Sequence, residues 1–275
     1  MVRILLIICF LNFCAVKTEG QCVYSNNTFI SGEEAYYSVY YKLGFMWFYA
    51  AEVNFKVNKA KYNNRDVFHF TSHGQTLPNY DWIYKVRDSF QSYADSTTLS
   101  PIYFSRKTSE GSYKVNNNYT FDYNKQKIYS NIENSKNPQY KDTLKIQDCT
   151  LDVLTASYAS RNLDITEIYF SDTIPLKMLI DNKIYNLYLR YIGDEDVVLN
   201  NGEKYRCKKF TILMVEGTIF SGGEDITVWI SNDKAKVPIK VEAKILIGSI
   251  IAELKNIKGN RWPMYSKIAD EAIIR

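Results

Sequence analysis

The last third of the chain most constrains the fold, because its apolar and polar residues change places at every step. Val237, Ile239, Val241, Ala243, Ile245 and Ile247 fall on one side of an extended backbone, and Lys240, Glu242 and Lys244 on the other. Successive side chains of a strand point to opposite faces, so a period of two means one dry face and one wet face. Gly248 and Ser249 suit a glycine-first hairpin turn, after which Ile250, Ala252 and Leu254 carry the returning strand. Ile226, Val228 and Ile230 alternate with Thr227, Trp229 and Ser231 in the same way.

The pattern extends to the first half. Glu33 to Lys42 reads as one strand and Phe45 to Lys59 as the next, with Phe45, Trp47, Tyr49, Ala51, Val53, Phe55 and Val57 sharing a face. The 23 tyrosines and 14 phenylalanines fall repeatedly in such runs, as half-buried antiparallel strands require. Asn63 and Asn64 turn the chain into Arg65 to Gln75. Between Pro78 and Asp95, Trp82, Val86, Phe90 and Tyr93 come at near-helical spacing, which predicts a short helix or helical turn ending in a strand from Phe90. Further strands are expected from Pro101 to Arg106, Tyr113 to Tyr123 and Gln126 to Ile132. Glu133 to Asp142 reads as a polar loop.

One clear helix is predicted over Thr150 to Asn162, capped by Asp148 or Thr150, with Asp152 in its first turn and Leu151, Leu154, Thr155 and Tyr158 as its packing stripe. Strands resume at Ile165 to Phe170, Leu176 to Ile180, Lys183 to Ile192 and Lys204 to Glu216. Asp181 with Asn182, and Asn200 to Gly202, make the turns. The expected fold is mainly β: a large, strongly curved antiparallel sheet with one central helix packed against its concave face, or two lobes meeting near residues 133–148.

Arg3 followed by the apolar run Ile4 to Phe13 has the form of a secretory leader too short to span a bilayer. Residues 1–20 are therefore expected to be a signal peptide, cut after Ala15 or Gly20, and residues 21–275 a single β-rich domain. This places the chain in the periplasm or outer envelope. Cys9, Cys14 and Cys22 follow Ile8, Phe13 and Gln21, a poor context for lipidation, although Leu11 keeps an anchor at Cys14 as the alternative. No other stretch reaches membrane-spanning length.

With 34 basic and 30 acidic residues the formal charge is +4, and no basic stripe marks a nucleic-acid partner. Outside the leader, Cys22, Cys149 and Cys207 permit one disulfide, with Cys149 to Cys207 the first choice.

Candidate chemistry is sparse. His69 and His73 stand about 13 Å apart on a strand, too far to share a metal ion. Ser221, with Gly222 and Gly223, lacks the preceding glycine of a nucleophile elbow, and Cys149 beside Asp148 has no partnered histidine. Asp81 and Asp88, or Asp194, Glu195 and Asp196, are carboxylates suited to a glycan or calcium. Phosphate-binding glycine loops are missing, and no cofactor is implied. The remaining candidate is an aromatic groove of Phe45, Trp47, Tyr49, Trp82 and Tyr84 for a lipid, peptide or glycan.

Several local patterns recur in a known order: Gly32, Glu33, Tyr37, Val39 and Tyr41; Asp88, Phe90, Tyr93 and Asp95 with Pro101, Arg106, Glu110 and Gly111; Asp152, Leu154, Ala156, Tyr158 and Arg161; then Val228, Trp229, Ser231, Asp233, Pro238, Glu242, Gly248 and Leu254. Through these the chain resembles the bacterial envelope family catalogued as domain of unknown function number 3108, from about residue 30 to residue 257. It departs from that pattern in carrying Leu43 and Phe45 around Gly44. The resemblance implies a secreted or lipid-anchored β-rich protein and supplies no catalytic residues. The expected function is a non-catalytic envelope protein holding a hydrophobic or amphipathic partner. A glycan-binding or glycan-active protein and a structural assembly module are the alternatives.

Overall fold

The computed structural model describes residues 24–214 and 222–269. The expected leader, Cys22, Ser221 and the tail from Asp270 lie outside these residues. The first half is a meander of β1 (Glu34–Leu43), β2 (Met46–Tyr62), β3 (Arg65–Thr76), β4 (Val86–Asp95), β5 (Pro101–Glu110), β6 (Tyr113–Asp122), β7 (Lys127–Asn134) and β8 (Asn137–Lys145). A short β9 (Thr150–Leu151) leads into helix α1 (Val153–Ala159). The chain then returns through β10 (Thr173–Ile180), β11 (Lys183–Val198), β12 (Lys204–Met214), β13 (Gly223–Ser231), β14 (Pro238–Lys244), β15 (Ser249–Lys258) and β16 (Lys267–Ile268).

All sixteen strands form one sheet, whose main path runs from β8 through β1 and β15 to β9, with β16 added beside β12. Strand β1 is the junction: it pairs with β2 on one side and with β15 on the other. Every pairing is antiparallel except the two-residue one between β9 and β10.

The sheet is large and almost wholly antiparallel with one helix against it, as expected, but its expected strong curvature is corrected by this order. The path is open, and the sheet is not curled round into a barrel. Alternation decides which face is dry, but it does not make the outer edges meet. Edge β8 is exposed almost throughout and edge β9 has only two residues, so neither offers the other a ladder. Side chains link the β10–β11 turn to the other half, through Arg106 to Asp181 at 2.7 Å and Asn182 to Asp142 at 2.8 Å.

Local departures have identifiable causes. The expected loop Glu133 to Asp142 is largely strand β8, an edge whose Pro138, Lys141 and Lys145 hide any apolar period while discouraging edge-to-edge pairing. Ile165 to Phe170 forms turns, with Tyr169 N–H donating to the Asp172 carboxylate at 2.9 Å. Pro78–Tyr80 is a single 3-10 turn, and the strand after it begins at Val86.

Helix α1 is shorter than expected, and its cap is Asp152. That fully buried carboxylate accepts from the N–H groups of Leu154 and Thr155 at 2.9 and 3.0 Å, and from the hydroxyls of Ser92 and Thr155 at 2.7 Å each. Burial pushes the Asp152 carboxyl up, while these four donors pull against it. Leu154, Ala156, Tyr158 and Ala159 face the sheet. Tyr158 stacks on Phe70 at 4.2 Å between ring centroids, and Phe29 meets both rings edge-on. The helix thus packs over β3 and β4 of the first half and over β10 of the second.

Candidate functional site

Strand register shows how the end that carries the β1–β2 and β14–β15 hairpins is built. Ala51, Val39, Ala252, Val241, Val228, Phe210 and Tyr191 are successive cross-strand partners from β2 to β11. One pair nearer the β1–β2 and β14–β15 hairpin tips, Phe48, Tyr41, Ile250, Ala243, Ile226, Ile212, Leu189 and Ile174 form a second row from β2 to β10. Both rows lie on the core-bearing face, since Phe210, Val228, Leu189, Ile212 and Val241 belong to or pack on the main core. Between the rows the opposite face carries Tyr40, Ile251, Glu242, Thr227, Thr211 and Arg190, a mostly polar series.

Covering is uneven along this face. Tyr191, Phe210, Val228 and Leu189 are buried, whereas Ala51, Val39, Ala252 and Val241 of the first row and Phe48, Tyr41, Ala243, Ile226, Ile212 and Ile174 of the second are half-buried and Ile250 is 37% exposed. The result is an apolar strip eight strands wide that continues the core toward solvent. Its one side-chain polar group is the Tyr41 hydroxyl, which donates to the Ile247 carbonyl at 3.0 Å. Such a surface suits a hydrocarbon chain, because it buries apolar area without stranding polar atoms.

The five aromatic residues expected to form a groove fall at this end but are not gathered into one wall. Phe45 and Trp47 belong to the β1–β2 hairpin, and Trp82 and Tyr84 to the β3–β4 connection. Phe45 is 93% and Trp82 83% exposed. A register shift at Val39/Tyr40 breaks the expected shared face of Phe45 to Val57. Past this bulge, Tyr49 and Trp47 lie on the opposite side from Ala51. Tyr40 meets Tyr49 at 5.5 Å and Trp47 at 6.2 Å, and the Tyr49 hydroxyl donates to Glu52 at 2.5 Å. None of the five lines the clefts around Ser25, Asp66 and Arg261, around Asp88 and Glu133, or around Asp233 and Trp262.

The other candidate groups are each engaged locally. His69 stacks on Tyr93 at 4.3 Å with its Nε2 3.3 Å from Gln91, and burial lowers its pKa. Asp81 is held in a two-point pair by Arg87 at 2.5 and 3.0 Å, which with the Thr76 hydroxyl keeps its carboxyl low. Asp88 stands apart: burial first, and then the Glu110 charge, push it up to about 6. Asp194 and Glu195 pair with Lys208 and Lys209 along the β11–β12 ladder. Among the described residues no three His, Cys, Asp or Glu side chains group as metal ligands.

The expected Cys149 to Cys207 bridge is overturned. Cys207 is a buried free thiol, and Cys149 is disulfide-bonded to a residue other than it. Sequence reading also missed the strip as a continuous surface. Its separate strands are visible as period-two runs, but the β1–β15 pairing that joins them spans more than 200 residues and has no local signal.

Among the described residues no helix is long and apolar enough to cross a membrane. The fold is similar to a crystal structure of a beta-barrel-like protein of domain of unknown function DUF1849 from Brucella abortus, with a TM-score of 0.54 at 7% identity. That similarity covers 84% of this chain and 99% of the other, and it speaks for the fold alone. No curated protein matches the chain. The family described as protein of unknown function (DUF3108) matches residues 36–255, in line with the order of motifs in the sequence, and the chain belongs to that family.

Proposed function

We propose that this protein is a non-catalytic binding protein, exported to the cell envelope, that holds the acyl part of an amphipathic ligand on the apolar strip of its sheet. The carrying observation is the row Phe48, Tyr41, Ile250, Ala243, Ile226, Ile212, Leu189 and Ile174, apolar across eight strands yet half-covered at most of its positions. A strip built only for stability would be buried along its length, whereas here burial is confined to Leu189 in this row and to Val228, Phe210 and Tyr191 in the next. The leader-like start of the chain supports the location.

Titration of the full chain with a fluorescent fatty acid tests this. A carboxylate placed on the strip by Ile226→Asp or Ala243→Asp must be desolvated by a bound chain, at a cost of about 1–3 kcal/mol. The expected result is an affinity about fivefold to about 150-fold weaker, with an unchanged melting curve for A243D. An unmodified chain that binds no probe, or variants that bind it equally well, would refute the reading.

A further inference from the structure

Three neighbouring connections at one end of the sheet display large apolar side chains that the ligand strip does not use. The β1–β2 hairpin shows Phe45 and the β3–β4 connection Trp82 and Ile83. The β14–β15 hairpin shows Leu246 and Ile247, which are 66% and 67% exposed. Their adjacency follows from the ladder: Lys42 pairs with Trp47 of β2 and with Ser249 of β15. The two hairpins touch closely, since a Cβ on Gly248 would fall 2.3 Å from the Lys42 carbonyl oxygen. Leu77 N–H donates to the Ala50 carbonyl at 2.9 Å and ties the third connection to β2.

Charge on these segments is mainly positive. Residues 42–47, 77–87 and 244–250 contain Lys42, Lys85, Arg87 and Lys244, and their only carboxylate is Asp81. Arg87 neutralises that group by its two-point pair. Three lysines on these segments are therefore left without a carboxylate of the same segments to oppose them, while Glu110 and Asp88 act on Tyr84 beside Lys85. Lys42 Nζ lies 5.2 Å from the centroid of the Trp47 ring.

We propose that these three tips dock the protein on the surface of an anionic phospholipid bilayer. Separate apolar side chains on tight turns can each enter a fluid layer without a shape-matched groove. Tryptophan favours the boundary between headgroups and hydrocarbon, and lysines beside it meet lipid phosphates. Docking in this orientation brings the open end of the strip to the membrane, since Tyr41 and Ile250 lie directly below the tips. The proposal stands apart from ligand binding: it concerns different side chains and is read without any fatty-acid probe.

The test is co-sedimentation of the full chain with vesicles of phosphatidylglycerol and phosphatidylethanolamine, and with vesicles of phosphatidylcholine alone. Quenching of tryptophan by lipids labelled in the acyl chain is read in parallel. A triple variant Phe45→Ser, Trp82→Ser and Leu246→Ser is expected to lose at least about tenfold in partition. The triple variant Lys42→Gln, Lys85→Gln and Lys244→Gln should lose about fivefold per lysine on the anionic vesicles and little on phosphatidylcholine. Because the apolar triple changes exposed side chains, it should melt as the parent does. Failure of the unmodified chain to sediment with anionic vesicles would overturn the proposal, as would equal partition of both triple variants with it; capture of a protein partner by the tips without vesicle binding would do the same.

Discussion

Removal of Arg161 should destabilise the fold far more than removal of the whole ion pair it belongs to. Arg161 lies in the 3-10 turn after α1, and its side chain is 6% exposed; Glu33, just before β1, is 2% exposed. The guanidinium reaches the two Glu33 oxygens at 2.5 and 3.2 Å and the Ala235 carbonyl at 2.9 and 3.3 Å. Phe29 and Tyr158 place their rings 5.7 and 5.8 Å away. One side chain thus joins the helix end, the start of β1 and the β13–β14 turn. Arg161→Met leaves a buried carboxylate uncompensated, at about 3–5 kcal/mol. Glu33→Leu together with Arg161→Met removes both charges, and the double variant should lose at least about 2 kcal/mol less than the sum of the two single losses. Urea unfolding of the four proteins measures this cycle. A loss under about 1 kcal/mol for Arg161→Met, or a double variant showing the full sum, would contradict the assignment of this pair as a central clasp.

Three further outcomes are expected. Asp88, pushed up to about 6 first by burial and then by Glu110, binds its proton more tightly when folded. Its contribution is therefore present below the ordinary carboxylate range and is lost as pH rises from about 4 through about 6. Melting curves of Asp88→Asn across that window should be flatter, with a gain near pH 7 of about 1 kcal/mol after discounting for partial exposure; an unchanged slope would rule this out. Gly248→Ala should destabilise by about 2 kcal/mol, since the residue has φ +83° and its new methyl meets the Lys42 carbonyl. Hydrogen exchange should then quicken in β14, β15 and β1 before the helix, and uniform quickening would refute a local clash. The Cys207 thiol, pushed up to about 12 by burial and nearby Asp233, should resist alkylation at pH 8 until the protein unfolds; stoichiometric labelling of the native chain would contradict its burial.

Much of the architecture was legible wherever one face of a strand is dry. Val237 to Leu254 shows both strands, and Asp181 with Asn182 turns the β10–β11 hairpin with φ values of 44° and 62°; the turn expected at Gly248 and Ser249 falls instead at residues 245–248, since Ser249 pairs with Lys244 and Ile247 lies exposed in the turn rather than on the dry face of a strand. Strand β8 was hidden because an exposed edge needs no apolar period. Tyr49 and Trp47 were placed on the wrong face because a bulge adds one residue without any change in composition. Neither the open path nor the β1–β15 pairing has a local signature, since both depend on which distant strands meet. For the same reason the aromatic residues at this end could be named from sequence, whereas the strip beside them could not.

Native mass spectrometry of the protein released from its own cell envelope without detergent tests the central claim most directly. A stoichiometric acyl-bearing molecule, lost from the Ile226→Asp variant, is the predicted result. A bare chain of the expected mass, in preparations where added fatty acid is also not retained, would contradict it.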